Sequence, residues 1–309
     1  MKILIYVNTS QNLRNNSKLG GIEILNFELA KYLNKKNKVL ITNNLSKKIK
    51  QTNWDIVISS NESKIFNYVK ANKKILWIHN KMQIEKAVRK RQIYSYIKNK
   101  PYAIFVSNFL EKQTSKFYPF KKRYIINNFL DSKFENVKRV YVREPIITWS
   151  VKREKGLNEL IDWWIKSILP NKPEAKLYIF GINKNNYKKL KKFNIYYFGN
   201  VKKSTLIKYY KISTAMICLG YDETFCLNAI ESMSCGQPVL SFKKTALNNL
   251  VKNNINGFKV NNFKDLSDKI LLLLNIKSSK RKILINKTQN YSKKYYFKNV
   301  ITKWEKIIQ

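Results

Sequence analysis

Two Rossmann-like domains of α/β class, each a parallel sheet, facing one another across a cleft, are predicted by three features of the 309-residue sequence. Short β-rich runs alternate with helical patterns from end to end. Most of the runs are continuously apolar rather than alternating, as strands buried on both faces of a parallel sheet require. They also fall into two sets of six, separated by a polar, basic break at 137–144 just before Pro145. The length agrees with two domains of roughly 150 residues each.

In the first half, strands are expected at 2–7, 38–42, 55–59, 74–78, 103–107 and 123–126. The second half offers 145–149, 176–180, 195–198, 215–219, 239–242 and 257–260. Between them lie helical stripes. Leu157, Leu160, Ile161, Trp164, Ile165 and Ile168 recur on one face of a helix, as do Phe263, Leu266, Ile270, Leu273 and Leu274. Strand, helix and strand in repetition means right-handed βαβ units. The boundaries drawn are 1–144 for the first domain and 145–293 for the second. A C-terminal helix at 294–309 is a candidate to pack back toward the first domain.

Composition narrows the function. The formal charge is +42, which invites a nucleic-acid reading. However, 53 of the 61 basic residues are Lys and eight are Arg, with Asn, Ile and Tyr abundant, as compositional drift in an AT-rich genome produces. Each half carries +21, so the charge is not gathered into one groove. Drift is the preferred reading over a selected basic surface, and nucleic acid is disfavoured as a partner. No run of 18 apolar residues suggests a membrane span. Cys218, Cys226 and Cys235 have neither disulfide-framework nor zinc spacing, so a reducing cytoplasm is the expected location.

With only eight glycines, each one left is expected to answer a backbone need. Gly20 and Gly21 precede the helix at 22–33, where a phosphate-facing loop is one reading. Neither GxGxxG nor a P-loop is present. The most specific segment is 221–241, YDETFCLNAIESMSCGQPVLS. Glu223 follows a strand, and Glu231 comes eight residues later on the following helix. The helix start near Leu227 and Asn228 offers free amides to a diphosphate. Glu223 is placed to accept hydrogen bonds from sugar hydroxyls and Glu231 from a ribose diol.

This Glu-x7-Glu segment, with Cys-Gly-Gln-Pro-Val after it and Asn256-Gly257-Phe258 later, resembles the donor-binding half of retaining family 4 glycosyltransferases of the GT-B fold. GGIEILNFELAKYL resembles that family's first Gly-Gly loop and helix. ILWIHN resembles its strand ending in His, and KGLNELI its Lys-Gly helix start. IINN and YYFGNV fall in the family's order as well. The likeness covers nearly the whole chain and is densest from 145 to 260.

The resemblance implies a glycosyltransferase moving a sugar from a nucleotide-sugar donor to a hydroxyl acceptor, on a glycan or a lipid-linked molecule. It also implies roles, with 1–144 the acceptor-side domain and 145–293 the nucleotide-sugar-binding one. Lys155 would meet the donor diphosphate, with Lys152 or Arg153 supplying a second cation where the family's usual Arg is replaced by Trp149 or Ser150. Glu223 would hold the transferred sugar and Glu231 the ribose. Phe225, Cys226 and Leu227 would offer backbone amides, with Cys226 standing where glycine is usual. Asn200 and Val201 would hold the base, and Gly20 and Gly21 would approach the donor. The acceptor hydroxyl would attack the face that the nucleotide leaves, with neither a metal nor another cofactor.

His79, the single histidine, is expected at a strand's carboxyl end. It is either a hydrogen-bonded cleft residue or a group positioned beside the reacting sugar. Ser107 reads as the N-cap of the helix beginning at Asn108. The stretch 81–100 carries seven cations interleaved with Met82, Ile84, Val88, Ile93, Tyr94, Tyr96 and Ile97. It is read either as an amphipathic domain helix or as a peripheral helix resting on an anionic membrane surface. The competing functional readings are a basic nucleic-acid-binding protein and another GT-B enzyme such as a sugar-nucleotide epimerase.

Overall fold

The computed structural model of the chain describes residues 1–10, 13, 20–150, 156–182 and 187–309. It divides into two compact units, Met1–Asp131 with Val300–Gln309, and Ser132–Asn299. Each is built on a six-stranded, wholly parallel sheet with flanking helices.

In the first unit the elements run β1 (Lys2–Val7), α1 (Gly21–Leu33), β2 (Lys38–Thr42), α2 (Lys47–Gln51), β3 (Asn53–Ser60), β4 (Lys70–Ile78), α3 (Ile84–Arg89), α4 (Ile93–Asn99), β5 (Tyr102–Phe105), α5 (Asn108–Gln113) and β6 (Lys122–Ile125). The sheet order is β2-β1-β3-β4-β5-β6. Its interior strands are buried on both faces: Ile3, Leu4, Ile5, Val57, Ile58, Ile75 and Trp77 have almost no accessible surface. The edge strands β2 and β6 contain no fully buried residue, which fits their one-sided cover. Leu25, Leu29, Ala30 and Leu33 form the stripe by which α1 packs. Ser107 caps α5, its hydroxyl accepting from the Leu110 amide at 3.1 Å, as the sequence predicts.

The second unit runs β7 (Glu144–Ser150), α6 (Leu157–Trp163), β8 (Lys176–Phe180), β9 (Ile195–Gly199), α7 (Lys203–Ile212), β10 (Ser213–Cys218), α8 (Leu227–Ser234), β11 (Val239–Phe242), α9 (Leu247–Leu250), β12 (Gly257–Val260), α10 (Phe263–Leu274) and α11 (Ser278–Ser292). The expected helix over 157–168 is α until Trp163 and continues as one π-helical turn, Trp164–Ile168. The sheet order is β12-β11-β10-β7-β8-β9. Every residue of β10 and β11 is buried, as befits strands covered on both sides. The polar stretch 137–144 belongs to this unit. Arg139 there donates to Gln289, and Arg143 to the carbonyls of Tyr210, Lys211 and Cys235.

The last helix, α12 (Phe297–Ile308), begins in the second unit and supplies its later residues to the first. Trp304 is fully buried there, its ring edge-on to Trp77 at 4.7 Å. Among the described residues no helix is long and apolar enough to cross a membrane.

Candidate functional site

In open parallel sheets ligands gather outside the carboxyl ends of the strands, where the strand order reverses. In the second unit that switch lies between β7 and β10, which pair directly. The loop leaving β10 carries the Glu-x7-Glu segment. It turns sharply: Gly220, Asp222 and Cys226 all have positive φ, at 82°, 54° and 73°. Glu223 lies half-buried on this loop, its own carbonyl accepting from the Ala246 amide at 3.1 Å. Phe225 is buried against the edge of Tyr295, ring centroids 5.7 Å apart.

Cys226 is the N-cap of α8 and sits in the left-handed region. A β-carbon is unfavourable there by about 1–2 kcal/mol, which gives a physical reason for glycine at this step. Its sulfur meets a buried neighbour, Cys218 Sγ, at 3.5 Å. That contact, together with burial, holds the Cys226 thiol well above its ordinary range, so it is neutral. Leu227 opens α8, and the Asn228 side chain donates to the Ser150 carbonyl at the end of β7. The two strands of the switch are thereby bridged by α8 itself.

Glu231 lies one turn further along α8 and is buried. Its Oε1 is held by Lys203 Nζ at the start of α7. Lys203 was not singled out by the sequence reading. Asn200 and Val201, between β9 and α7, are exposed and half-buried respectively. Helix α7 thus connects the stretch assigned to the base with the glutamate assigned to the ribose. Lys152, Arg153 and Lys155 lie outside the described residues. Gly156, which follows them, is the N-cap of α6 at φ 75° and packs on Tyr221.

In the first unit the switch is between β1 and β3. A cavity of about 240 Å³ opens there, lined among others by Val7, Asn8, Ser60, Asn61, Glu62 and Asn80. Glu62 was also missed by the sequence reading. Its Oε1 accepts from the Lys64 amide at 2.9 Å and from Gln92 Nε2 at 3.2 Å. His79 follows β4 and is buried, with its ring 4.6 Å from that of Trp77. Its amide donates to Asn61 Oδ1 at 2.8 Å, and the Asn80 amide shares that acceptor. Burial pushes the imidazole pKa down to about 3, so His79 is neutral at physiological pH. Gly20 is the extended N-cap of α1 at φ −79°, and Gly21 is its first residue. Neither glycine adopts a left-handed conformation.

The single helix expected over 81–100 is corrected. Helices α3 and α4 occupy this stretch, interrupted at Arg91, whose φ is 54°. Periodicity of apolar residues carries on across such a break and does not reveal it. Ile84, Val88, Tyr94 and Ile97 are exposed on the two helices.

Residues 144–291, which hold both glutamates, match the family model of glycosyl transferases group 1. This part of the chain is a glycosyl transferases group 1 domain. Its fold is shared with solved GT-B structures. A point variant of S. aureus TarM, in complex with fondaparinux, alpha-GlcNAc-glycerol and UDP, is 20% identical with a TM-score of 0.65 over 82% of this chain. This chain spans 55% of that protein's length. Sucrose-phosphate synthase from Thermosynechococcus elongatus is 13% identical, with a TM-score of 0.76 over 99% of this chain and 98% of its own. Anabaena HepE in complex with UDP is 14% identical, with a TM-score of 0.72 over 99% and 98%. Among curated proteins no sequence matches significantly.

Proposed function

We propose that this protein is a glycosyltransferase that moves a sugar from a uridine-diphosphate donor to a hydroxyl acceptor, with retention at the anomeric carbon and without a metal. The observation that carries the reading is the placement of Glu223 and Glu231 around the start of α8, at the switch point of the second sheet. Anabaena HepE is solved in complex with UDP and with UDP-glucose, and the TarM variant with UDP, which supports the donor class.

Glu223 accepts hydrogen bonds from the transferred sugar and offsets positive charge growing at its anomeric carbon. Amides of Phe225, Cys226 and Leu227 face the diphosphate, with Lys155 and one of Lys152 or Arg153 neutralising the leaving group. Glu231 accepts from the ribose diol, while main-chain groups of Asn200 and Val201 hold the base. Gly20, Gly21 and His79 are the first unit's candidate residues, His79 being a neutral imidazole that can donate one hydrogen bond and accept another. The acceptor hydroxyl attacks from the face the nucleotide leaves and passes its proton to a donor phosphate oxygen.

The acceptor is a glycan or a lipid-linked molecule at the inner face of a membrane. Exposed Ile84, Val88, Tyr94 and Ile97, set among seven cations over 81–100, favour the lipid surface. Co-sedimentation of the full chain with anionic but not zwitterionic vesicles tests that part.

A thermal-shift panel of nucleotides and nucleotide sugars, followed by NMR assignment of the product's anomeric configuration, tests the rest. Stabilisation by UDP-sugars and a retained configuration are expected. An inverted product, or stabilisation by nucleic acid alone, refutes the reading.

A further inference from the structure

The first unit's cavity of about 240 Å³ is smaller than the roughly 300–1,000 Å³ of pockets that take drug-sized molecules, and it suits one sugar ring. Its inner wall is polar. Tyr118 lines it and is 5% exposed, yet the Tyr118 hydroxyl has no hydrogen-bond partner among the described residues. A buried phenol ordinarily finds one, so a ligand is the natural partner here.

Glu62, two residues beyond β3, is the second group. Its Oε1 is fixed by the Lys64 amide and by Gln92, which is itself buried. Its Oε2 meets Asn8 Nδ2 at 3.5 Å, the outer limit of a hydrogen bond, and so can still accept. Asn61 is the third. The His79 and Asn80 amides occupy its Oδ1, which leaves its Nδ2 with protons to give.

We propose that this cavity holds one uncharged sugar ring of the acceptor, and that Glu62 selects it by accepting from a ring hydroxyl and repelling acidic sugars. This rests on the reading of the first unit as the acceptor side.

A hydroxyl both donates and accepts, so neighbouring ring hydroxyls satisfy a carboxylate oxygen, an amide N–H and a phenol together. A uronate or a phosphate brings acceptors and negative charge to the same wall. It would meet Glu62 and also Glu23, in the first turn of α1, which lines the cavity too. Lys81, Lys86 and Lys90 act in the opposite direction. All three are exposed, so water and salt screen them, whereas Glu62 is half-buried. The inner carboxylate decides which charge the ligand can carry.

The test is ligand-observed NMR titration of the full chain as wild type, Glu62→Gln and Tyr118→Phe. The probes are the methyl glycosides of glucose, galactose, mannose and N-acetylglucosamine, and those of the first three as uronic acids. At least one neutral glycoside binds the wild type, about tenfold or more tightly than any uronate. In Glu62→Gln the neutral ring is held about tenfold more weakly, and the uronates come within about twofold of it. Tyr118→Phe weakens the neutral ring about fivefold and leaves the preference over uronates intact. UDP, titrated calorimetrically, binds all three proteins alike.

Should Glu62→Gln not fold, the wild-type preference and Tyr118→Phe decide. Uronates bound as tightly as neutral rings, a preference unchanged in Glu62→Gln, or no neutral glycoside bound by the wild type overturns the proposal. So does a neutral ring whose affinity neither substitution alters, since it then lies elsewhere. The glycoside comparison needs no donor, so a wild type that fails to bind UDP refutes the donor reading and not this one.

Discussion

Gly156 lies flat against Tyr221: a β-carbon built on Gly156 would stand 2.5 Å from Tyr221 Cε2 and 2.9 Å from Leu219 Cδ1. The start of α6 and the loop carrying Glu223 are therefore in direct contact. Tyr221 is fixed from its other end as well, its hydroxyl donating to Glu159 Oε2 at 2.8 Å. Gly156→Ala adds the clash to the cost of a left-handed alanine, about 1 kcal/mol. The expected result is a thermal midpoint lower by a few degrees and a kcat/KM lower by about tenfold or more, since the Glu223 loop must shift. Unchanged kinetics beside a lowered midpoint would show that this contact serves stability alone.

Glu223→Gln preserves size and hydrogen-bonding reach but removes the charge. Turnover should fall by roughly a hundredfold or more, as for other lost electrostatic stabilisers. UDP affinity should stay near wild type, because UDP places no sugar beside this residue. Steady-state kinetics and calorimetry together check the split. Comparable small effects on both would make Glu223 part of the scaffold.

Transfer should persist in excess chelator. The diphosphate charge is assigned to Lys155, a neighbouring cation and the start of α8, which need no divalent ion. Loss of activity with EDTA and recovery with Mg²⁺ or Mn²⁺ would contradict the mechanism.

His79 gives a stability signature in acid. Its folded pKa of about 3 is far below that of an exposed histidine. Below about pH 6.5 the unfolded chain binds a proton there that the folded chain does not, so stability falls as pH falls. The limiting slope for this group is about 1.4 kcal/mol per pH unit, with the loss ending near the folded pKa. Denaturation midpoints followed from about pH 7 to 5 should decline, and His79→Gln should shallow that decline. An identical pH profile in the variant would show that His79 is not buried as described.

Much of the secondary structure was legible because burial on both faces writes itself as an uninterrupted apolar run. The strands at 2–7, 38–42, 176–180, 239–242 and 257–260 are found at those bounds. Where the reading falls short, backbone pairing goes on without apolar side chains. β4 begins at Lys70 rather than at 74, because Lys70, Ala71 and Lys73 pair with Asn53, Trp54 and Ile56. A ladder needs amides and carbonyls, which every residue there supplies. The interruption at Arg91 left no mark either, since a positive φ at a non-glycine residue has no reliable signal in one sequence.

The candidate site divides in the same manner. Glu223 and Glu231 stand out because acidic residues are scarce in this chain, and the second is set in an apolar stretch. Lys203 is one of 53 lysines and lies 28 positions from its partner, so no local pattern distinguishes it. Glu62 is equally silent in sequence; its place beside the first unit's switch point follows from the pairing of β1 with β3.

By itself the sequence determined the twelve strands, the parallel sense of the sheets and the Glu-x7-Glu segment, all of which depend on residues near one another. Only the tertiary structure decided strand order. The second sheet follows the 3-2-1-4-5-6 order of a dinucleotide-binding fold, whereas the first begins 2-1-3-4-5, as flavodoxin-like sheets do. The two differ in which edge the chain turns to after its first crossover. Handedness constrains every crossover alike, but it does not choose the edge. That choice is settled by non-local packing between faces, and it determines which strand ends, and hence which side chains, meet at the switch point.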